Sequence, residues 1–229
     1  MNVVGLELGP FAARCVLLSC AATGEALVVD PGFDPEAVIA ALRERSLRPT
    51  ALVLTHAHVD HAWGVAALKA VFPAADVLLH EGDLPLYGNL AGQSRMFGLP
   101  VPATVPADGA LRDGETLAFG RERALVRHCP GHSPGHVVLI GDGDTAPVAV
   151  VGDVLFAGSI GRTDLWGGSL PALLASIREV LYTLPDATRV VPGHGPETTI
   201  GAEKRGNPFA TPLPSAARAQ NPGAAGCVE

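Results

Sequence analysis

Short apolar runs rich in β-branched residues open the chain, and turn residues such as Thr23-Gly24 separate them. This alternation predicts a β-meander of three strands, over residues 3–8, 14–20 and 26–30. Asp34-Pro35 then begins a helical spacing of apolar residues that ends near Ser46, and an apolar strand over residues 51–54 follows it. The start of the chain therefore predicts three strands, one helix and a fourth strand.

The middle of the chain begins with a cluster of histidines at residues 56–61. Helical spacing runs from His61 to Val71 and is stopped by Pro73, and residues 76–80 form the next strand candidate. Residues 83–115 are rich in Gly and Pro and show little periodicity. Loops of this length in compact domains are usually functional covers, so we expect this segment to be a loop that overhangs a site.

The second half repeats the order of the first. Strand candidates lie at residues 117–119, 124–128, 137–140 and 148–151. A helix is expected over residues 170–184 and a last strand over residues 189–191. Strands in both halves, with a helix after each set, predict an α/β fold in which two facing sheets carry helices on their outer sides.

Composition supports one folded domain. Hydrophobic residues make up 48% of the 229 positions and charged residues 17%, which is enough apolar material for a sizeable core. We expect a single domain over residues 1–210. Residues 211–229 are mostly Ala, Pro, Ser and Asn, which predicts a flexible tail.

Charge, hydropathy and cysteine usage exclude several classes of protein. The net charge is −7 and Lys and Arg form no cluster, so we expect no nucleic-acid partner. No apolar run approaches the roughly 20 residues that a membrane span needs. The N-terminal residues do not resemble a signal peptide, and the four cysteines form no CxxC pair, so a cytoplasmic, reduced protein is expected.

The densest chemical signal is the segment that contains His56, His58, Asp60 and His61. It directly follows a predicted strand and begins a predicted helix, so one turning loop could serve two metal ions. Imidazole nitrogen and carboxylate oxygen suit zinc and similar divalent ions. The alternative is an ordinary polar loop. It is the weaker interpretation, because three of only eight histidines fall within six residues.

Three further candidates follow later strands. They are His132, Asp153 and His194, and each has a glycine beside it that allows a tight backbone turn. The other histidines are weaker candidates. We expect a structural or supporting role for His136 and ordinary hydrogen bonds for His80 and His128, which end predicted strands.

The motif Thr55-His-Ala-His-Val-Asp-His61, followed by the later His, Asp and His, resembles the signature of the metallo-β-lactamase superfamily. The resemblance covers residues 1–210 and implies a four-layered αβ/βα sandwich of two mixed β-sheets flanked by helices. It implies two divalent metal ions, zinc foremost, with iron or manganese as alternatives. By the same resemblance, the first ion takes His56, His58 and His132, the second takes Asp60, His61 and His194, and Asp153 bridges them.

Other segments resemble the small bacterial branch of glyoxalase II, the hydroxyacylglutathione hydrolases. They are residues 93–99, 129–136, 161–164, 192–196 and 207–209. This resemblance implies that a metal-bound hydroxide cleaves S-D-lactoylglutathione or a related thioester, with Asp60 orienting the hydroxide or accepting a proton. The expected partner is therefore a small-molecule thioester, such as a glutathione conjugate, bound by a monomer or small homo-oligomer.

The chain departs from that branch in two ways. Longer glyoxalase II enzymes have a C-terminal helical domain that contacts glutathione, and this sequence ends soon after Phe209. Where those enzymes have a basic residue and a Tyr that contact the thiol peptide, this sequence has Arg162 and Asp164. Arg162 is suited either to a substrate carboxylate or to an ion pair with Asp164. Met96 and Phe97 are suited either to an acyl pocket or to local packing.

Alternative functions share the fold. Persulfide dioxygenases bind a single iron, which here would use His58, His132 and Asp153. A non-catalytic metal-binding partner module is a further alternative, although none of the expected ligands is missing. A class B β-lactamase is disfavoured, because Asp153 occupies the position of its ligand cysteine.

Overall fold

The structure is a computed structural model that describes residues 1–144 and 146–211. Its first sheet has six strands in the order β1 to β6. They are β1 (Asn2–Leu8), β2 (Ala13–Ser19), β3 (Glu25–Val29), β4 (Arg48–Val53), β5 (Asp76–His80) and β6 (Gly109–Leu111). The first three strands pair antiparallel, as the predicted meander requires, and β3 to β6 pair parallel.

Five helices accompany this sheet: α1 (Pro35–Glu44), α2 (Val59–Ala62), α3 (Val65–Val71), α4 (Leu84–Gly88) and α5 (Leu90–Met96). A 3₁₀ turn, Glu81–Asp83, leads into α4. The helical pattern predicted after His61 is divided into α2 and α3. The two helices meet at Gly64, where a side chain would collide with the carbonyl oxygen of Gly32.

The second sheet also has six strands, in the order β14-β13-β10-β9-β8-β7. Its strands are β7 (Thr116–Phe119), β8 (Glu122–His128), β9 (Val137–Asp142), β10 (Pro147–Gly152), β13 (Arg189–Pro192) and β14 (Thr198–Thr199). A two-stranded ribbon of β11 (Leu155–Phe156) and β12 (Ser159–Ile160) extends beyond β10. Helices α6 (Leu170–Glu179) and α7 (Ile200–Gly206) follow, and a 3₁₀ turn, Leu181–Thr183, comes after α6.

The two sheets face each other across a shared core. Val16 and Leu18 of β2 belong to a buried cluster with Val126 of β8 and Val150 of β10. The alternate residue of β2, Leu17, belongs instead to a cluster with helices α1 and α3. All seven residues of β2 are buried because both faces of its sheet are covered.

The outer face of the second sheet packs in the same way. Ala149 and Val190 are buried with Leu173 and Ile177 of α6. The order of layers is therefore helix, sheet, sheet, helix, which confirms the two facing sheets with outer helices predicted from the pattern and the αβ/βα sandwich implied by the resemblance.

One prediction from periodicity was wrong. Residues 83–115 are not a plain loop, since they contain α4, α5 and β6. Pro85 lies in the first turn of α4, where the missing N–H costs nothing. Both helices are too short to show a period, and their glycines resemble loop residues. The expectation that the segment overhangs the site was correct, because Leu86, Gln93 and Met96 line the cavity described below.

The predicted helix over residues 170–184 ends earlier, at Glu179, and continues as the 3₁₀ turn. Helix α7 had no counterpart in the prediction. The predicted flexible tail lies outside the described residues, apart from Thr211. Within the described ranges, no helix is both long enough and apolar enough to cross a bilayer.

Candidate metal centre

All seven predicted ligands lie at one edge of the sandwich, in the segments that follow the ends of strands. His56 comes after β4, His132 after β8, Asp153 after β10 and His194 after β13. His58 begins α2 as its N-cap residue, and that helix carries Asp60 and His61. Because these strand ends share one edge, four segments far apart in sequence converge on one point.

The first cluster consists of His56, His58 and His132, and we call it the histidine triad. Nε2 of His132 lies 3.2 Å from Nε2 of His56 and 2.9 Å from Nδ1 of His58. The three residues are 1%, 8% and 2% exposed. Their nitrogen atoms are close enough together to hold one metal ion.

The second cluster consists of Asp60, His61 and His194, and we call it the mixed triad. Nε2 of His194 lies 3.3 Å from Nε2 of His61 and 3.3 Å from Oδ2 of Asp60. Nε2 of His61 lies 3.6 Å from the same carboxylate oxygen. This triad is more open than the first, because the side chain of His194 is 27% exposed.

Asp153 lies within reach of both triads. Its Oδ2 is 3.5 Å from Nε2 of His132 and 3.6 Å from Nε2 of His194, and its Oδ1 is 3.6 Å from Nε2 of His61. Donors about 2.0–2.1 Å from a tetrahedral zinc ion are separated by about 3.3–3.4 Å. The donor separations in both triads are close to that value.

Hydrogen bonds on the far side of the imidazole rings set their orientation. Nδ1 of His132 donates to the carbonyl oxygen of Arg162 at 2.8 Å, and Nδ1 of His194 donates to that of Phe11 at 3.0 Å. A carbonyl oxygen only accepts, so each Nδ1 carries a proton. In the neutral rings of His132 and His194, the lone pair is therefore on Nε2, which faces the centre.

Asp30 was missed as a site residue and only ended a predicted strand. It is 3% exposed, and its Oδ2 accepts hydrogen bonds from Nδ1 of His61 (3.0 Å) and from Oγ1 of Thr55 (2.7 Å). The same Thr55 hydroxyl accepts from Nδ1 of His56 at 3.1 Å. One carboxylate therefore orients a histidine of each triad. The available signal was an acidic residue directly after a strand, beside Pro31-Gly32.

Asp83 was also missed. Its side chain is fully buried and accepts hydrogen bonds from the backbone N–H of Ala57 (2.9 Å), the hydroxyl of Ser133 (2.8 Å) and the backbone N–H of Gly135 (2.6 Å). These three donors lie on the loops that carry His56, His58 and His132. Asp83 therefore fastens together the two loops that form the histidine triad.

Gln93 holds the same loop from α5. Its Nε2 donates to the carbonyl oxygens of Ala57 (3.0 Å) and Leu86 (2.9 Å), and its Oε1 accepts from the backbone N–H of Val59 (3.0 Å). The amide thus binds the backbone on both sides of His58. Nothing in the sequence marked this role, because Gln93 lies in the segment that looked irregular.

The remaining three histidines have supporting positions. Nε2 of His136 accepts a hydrogen bond from the backbone N–H of Asp153 at 3.0 Å, and its ring stacks on His56 at 4.7 Å. His80 and His128 stack on each other at 4.1 Å. His80 accepts from the backbone N–H of Gly82, and His128 donates to the carbonyl oxygen of Pro134.

The histidines of the two triads differ in their pKa values. Burial and the neighbouring histidines lower the pKa of His58 to about 3, that of His132 to about 4 and that of His56 well below its usual range. Burial acts to lower the pKa of His61 too, but the carboxylates of Asp60 and Asp153 raise it to about 10. Without a metal, the histidine triad is neutral at pH 7 and His61 is charged.

One buried atom in particular fits a bound cation. Among the residues that the structure describes, Oδ1 of Asp153 is buried without a hydrogen-bond partner, and it lies 3.6 Å from Nε2 of His61. Burial raises the pKa of Asp153. A buried carboxylate oxygen without a donor is costly, and a metal ion beside it removes that cost. The donor set therefore suits divalent metal ions.

A cavity of about 910 Å³ opens above the two triads. Asp60, His132 and Asp153 line its floor, and Met96 and Phe97 line its wall. Of the two alternatives for Met96 and Phe97, a pocket or local packing, the structure therefore favours the pocket.

Of the two alternatives for Arg162, a substrate carboxylate or an ion pair with Asp164, the structure shows the ion pair. Its Nε and one terminal nitrogen each donate to Asp164 at 2.7 Å, so the guanidinium forms a bidentate ion pair beside the cavity.

Comparison with known proteins agrees with this geometry. A family model described as the metallo-beta-lactamase superfamily matches residues 8–194. The chain belongs to this superfamily.

Individual relatives indicate which members of the superfamily this chain resembles. The chain is 38% identical to the hydroxyacylglutathione hydrolase GloC of Haemophilus influenzae, over 91% of this chain and 98% of that protein. Its structure is similar to that of the BLEG-1 B3 metallo-beta-lactamase, with 42% identity, a TM-score of 0.84 and coverage of 92% and 100% of the two chains. It is also similar to TTHA1623 in a di-iron-bound form, with 41% identity, a TM-score of 0.81 and coverage of 90% and 100%. These similarities support a metal-dependent hydrolase, and the similarity to GloC supports the glyoxalase II-like branch.

Proposed function

We propose that this protein is a dinuclear metal-dependent thioester hydrolase of the glyoxalase II type. The observation that carries the proposal is the pair of donor triads on the floor of one cavity, with Asp153 within 3.6 Å of a donor atom of each. The 38% identity to a hydroxyacylglutathione hydrolase supports the choice of a thioester as substrate. S-D-lactoylglutathione is the reference substrate of that activity.

In this proposal the histidine triad would hold the first ion and the mixed triad the second, and Asp153, which lies within reach of both triads, would be available to both ions. When bound, two divalent ions supply Lewis acidity, which generates a nucleophile from water near neutral pH and polarises a carbonyl. Asp30, through His61 and Thr55, keeps the ligand rings oriented for this purpose.

Asp60 is the proposed catalytic residue beside its role as a ligand. It lines the cavity, and the charge of His61 and a hydrogen bond with His194 overcome the effect of burial and keep its pKa below the ordinary value. A carboxylate that stays ionised orients an attacking water and takes up its proton. The leaving thiol has an ordinary pKa of about 8.5, so it departs as a thiolate without a dedicated general acid.

Zinc is the proposed metal, with iron and manganese as alternatives. Nitrogen and oxygen donors suit all three ions. The di-iron form of TTHA1623 makes iron the first alternative to examine. Elemental analysis of protein purified without added metal distinguishes these cases.

A second candidate activity is hydrolysis of β-lactams, which the 42% identity to the BLEG-1 B3 metallo-beta-lactamase favours. The chemistry is again attack of activated water on a carbonyl, but the leaving group is an amine. An amide nitrogen needs a proton before it leaves, and Asp60, whose pKa is low, is a poor donor at neutral pH. The thioester therefore ranks first.

The test is a substrate panel on protein loaded with zinc, and separately with iron. Thioesters are followed by thiol release, a chromogenic cephalosporin by its colour change, and glutathione persulfide by oxygen consumption. We expect thiol release from thioesters with a kcat/KM well above that for the cephalosporin. Failure to cleave any thioester, or oxygen consumption by protein with one iron per chain, would overturn the proposal.

A further inference from the structure

The wall of the cavity above the two triads is apolar and exposed. Phe11, Met96, Phe97 and Trp166 all line it, and they are 39%, 74%, 44% and 59% exposed. They come from three separate segments: the loop after β1, the end of α5 and the loop before α6. Four large apolar side chains from distant segments that gather at one opening are typical of a ligand site.

Part of this wall is held rigidly. The ring of Phe11 packs edge-to-face on Phe97, with 5.7 Å between centroids, and on Phe33 at 6.1 Å. Phe33 in turn stacks on Trp63 at 5.5 Å. The aromatic row therefore links the mouth of the cavity to the packed interior. An exposed side chain fixed in this way offers apolar surface to a ligand at little entropic cost.

The charged residues of the cavity also favour a ligand without carboxylates. Among the described residues that line it, Arg162 is the single Lys or Arg, and its guanidinium is already paired with Asp164. The acidic groups in the lining are Asp60 and Asp153, which belong to the proposed metal centre. Glutathione carries two carboxylates and one ammonium, and among the described residues that line the cavity no Lys or Arg other than the paired Arg162 is present to receive those carboxylates.

We propose that the substrate is a thioester with an apolar acyl chain on a thiol without carboxylates, rather than a glutathione thioester. This inference rests on the proposed thioester hydrolysis and names its substrate class. The acyl chain lies against the wall formed by Phe11, Met96, Phe97 and Trp166. The thioester carbonyl then lies over the two triads.

The first experiment compares four thioesters that differ in one feature at a time. Acetyl and hexanoyl groups are each carried by N-acetylcysteamine, which is uncharged, and by glutathione. Full burial of one methylene corresponds to roughly fourfold in kcat/KM, so four methylenes that are only partly buried raise it by about tenfold or more. We expect that gain on both thiols, and no gain from glutathione. A tenfold preference for glutathione thioesters with the same acyl group would overturn the inference.

The second experiment measures binding without turnover, so that it stays informative if no thioester is cleaved. Calorimetry on metal-loaded protein compares S-hexyl-N-acetylcysteamine with S-hexylglutathione, which are both thioethers. We expect the neutral thioether to bind at least as tightly as the glutathione conjugate. Tighter binding of S-hexylglutathione by tenfold would contradict the apolar assignment even if hydrolysis is confirmed.

Variants locate the binding surface. Trp166→Ala and Met96→Ala remove exposed side chains, and we expect each to weaken binding of S-hexyl-N-acetylcysteamine several-fold. Val71→Ala is the matched control, because Val71 is 40% exposed on α3 and does not line the cavity. An unchanged Kd in both cavity variants would show that the apolar wall is not the site.

Discussion

The histidine triad and the mixed triad share Asp153, yet they differ in burial and in charge. His56, His58 and His132 are almost fully buried and have lowered pKa values, so they are neutral and held ready at pH 7. In the mixed triad, the charges of Asp60 and Asp153 raise the pKa of His61, and a hydrogen bond with Asp60 and the charge of Asp153 raise that of His194. Without a metal, protons stabilise this second group of donors.

This difference predicts the order in which the two metal ions bind. A neutral, buried triad offers lone pairs to a metal without displacing protons, whereas the mixed triad must release protons first. We therefore expect the first ion to bind at the histidine triad and the second at the mixed triad. The mixed triad also faces the cavity more openly, which suits a role in handling water and substrate.

The largest expected effect is that of His58→Ala. It removes a donor from the buried triad, and we expect kcat/KM for a thioester to fall by at least about 10²-fold, the loss that follows removal of one group that stabilises a developing oxyanion. His194→Ala leaves the histidine triad intact, so one ion per chain should remain bound. His80→Ala is the control, because that ring lies outside both triads. Equal loss of both ions in the His194 and His58 variants would contradict the comparison.

The second prediction concerns pH. Since the pKa of His61 is about 10 and that of His194 is raised, protons compete with the metal at the mixed triad throughout the neutral range. Its affinity should rise as the pH rises, by up to about 100-fold per pH unit where two protons are displaced. The histidine triad should be insensitive above about pH 5, because its pKa values lie at about 4 and below.

Calorimetry in buffers of different ionisation enthalpy measures these protons directly. We expect almost no proton release with the first ion and release with the second. Equal release for both ions would show that the two triads do not differ in this way.

A third prediction addresses Asp30, which contacts His61 directly and His56 only through Thr55. Asp30→Asn preserves shape but removes the charge, and supporting residues of this kind typically change metal affinity by about 10–100-fold. We expect the loss mainly at the mixed triad. Competition with a chromogenic chelator gives both dissociation constants, and a loss confined to the histidine triad would reverse this assignment.

The smallest expected effect is on stability. Asp83→Asn replaces a carboxylate that accepts three hydrogen bonds and brings its amide N–H₂ toward one of those donors. A buried group left without a partner costs about 1–3 kcal/mol in free energy of unfolding. Urea denaturation of the metal-free protein measures the change, with Glu36→Gln on the exposed face of α1 as control. Unchanged stability would mean that Asp83 does not fasten the two loops.

The sequence was sufficient for the elements whose pattern is long and regular. The three strands of the meander and helix α1 each show a full period of apolar positions. The seven candidate ligands stood out because donor residues are dense after β4 and have glycine neighbours elsewhere.

The sequence was insufficient where function depends on contacts between distant segments. Asp83 and Gln93 act by holding the loop around His58, and their partners lie 26 to 52 residues and 7 to 36 residues away. Neither residue belongs to a local motif. Helices α4 and α5 have fewer than eight residues each, so tertiary packing, rather than periodicity, determines them.

Thioester hydrolysis is expected to require metal ions in both triads. The most direct measurement titrates zinc into metal-free protein while recording bound metal per chain and thiol release in the same samples. We expect little turnover with one ion bound and maximal turnover as the metal content approaches two ions per chain. Maximal turnover at one ion per chain, or no thiol release with two bound, would contradict this expectation.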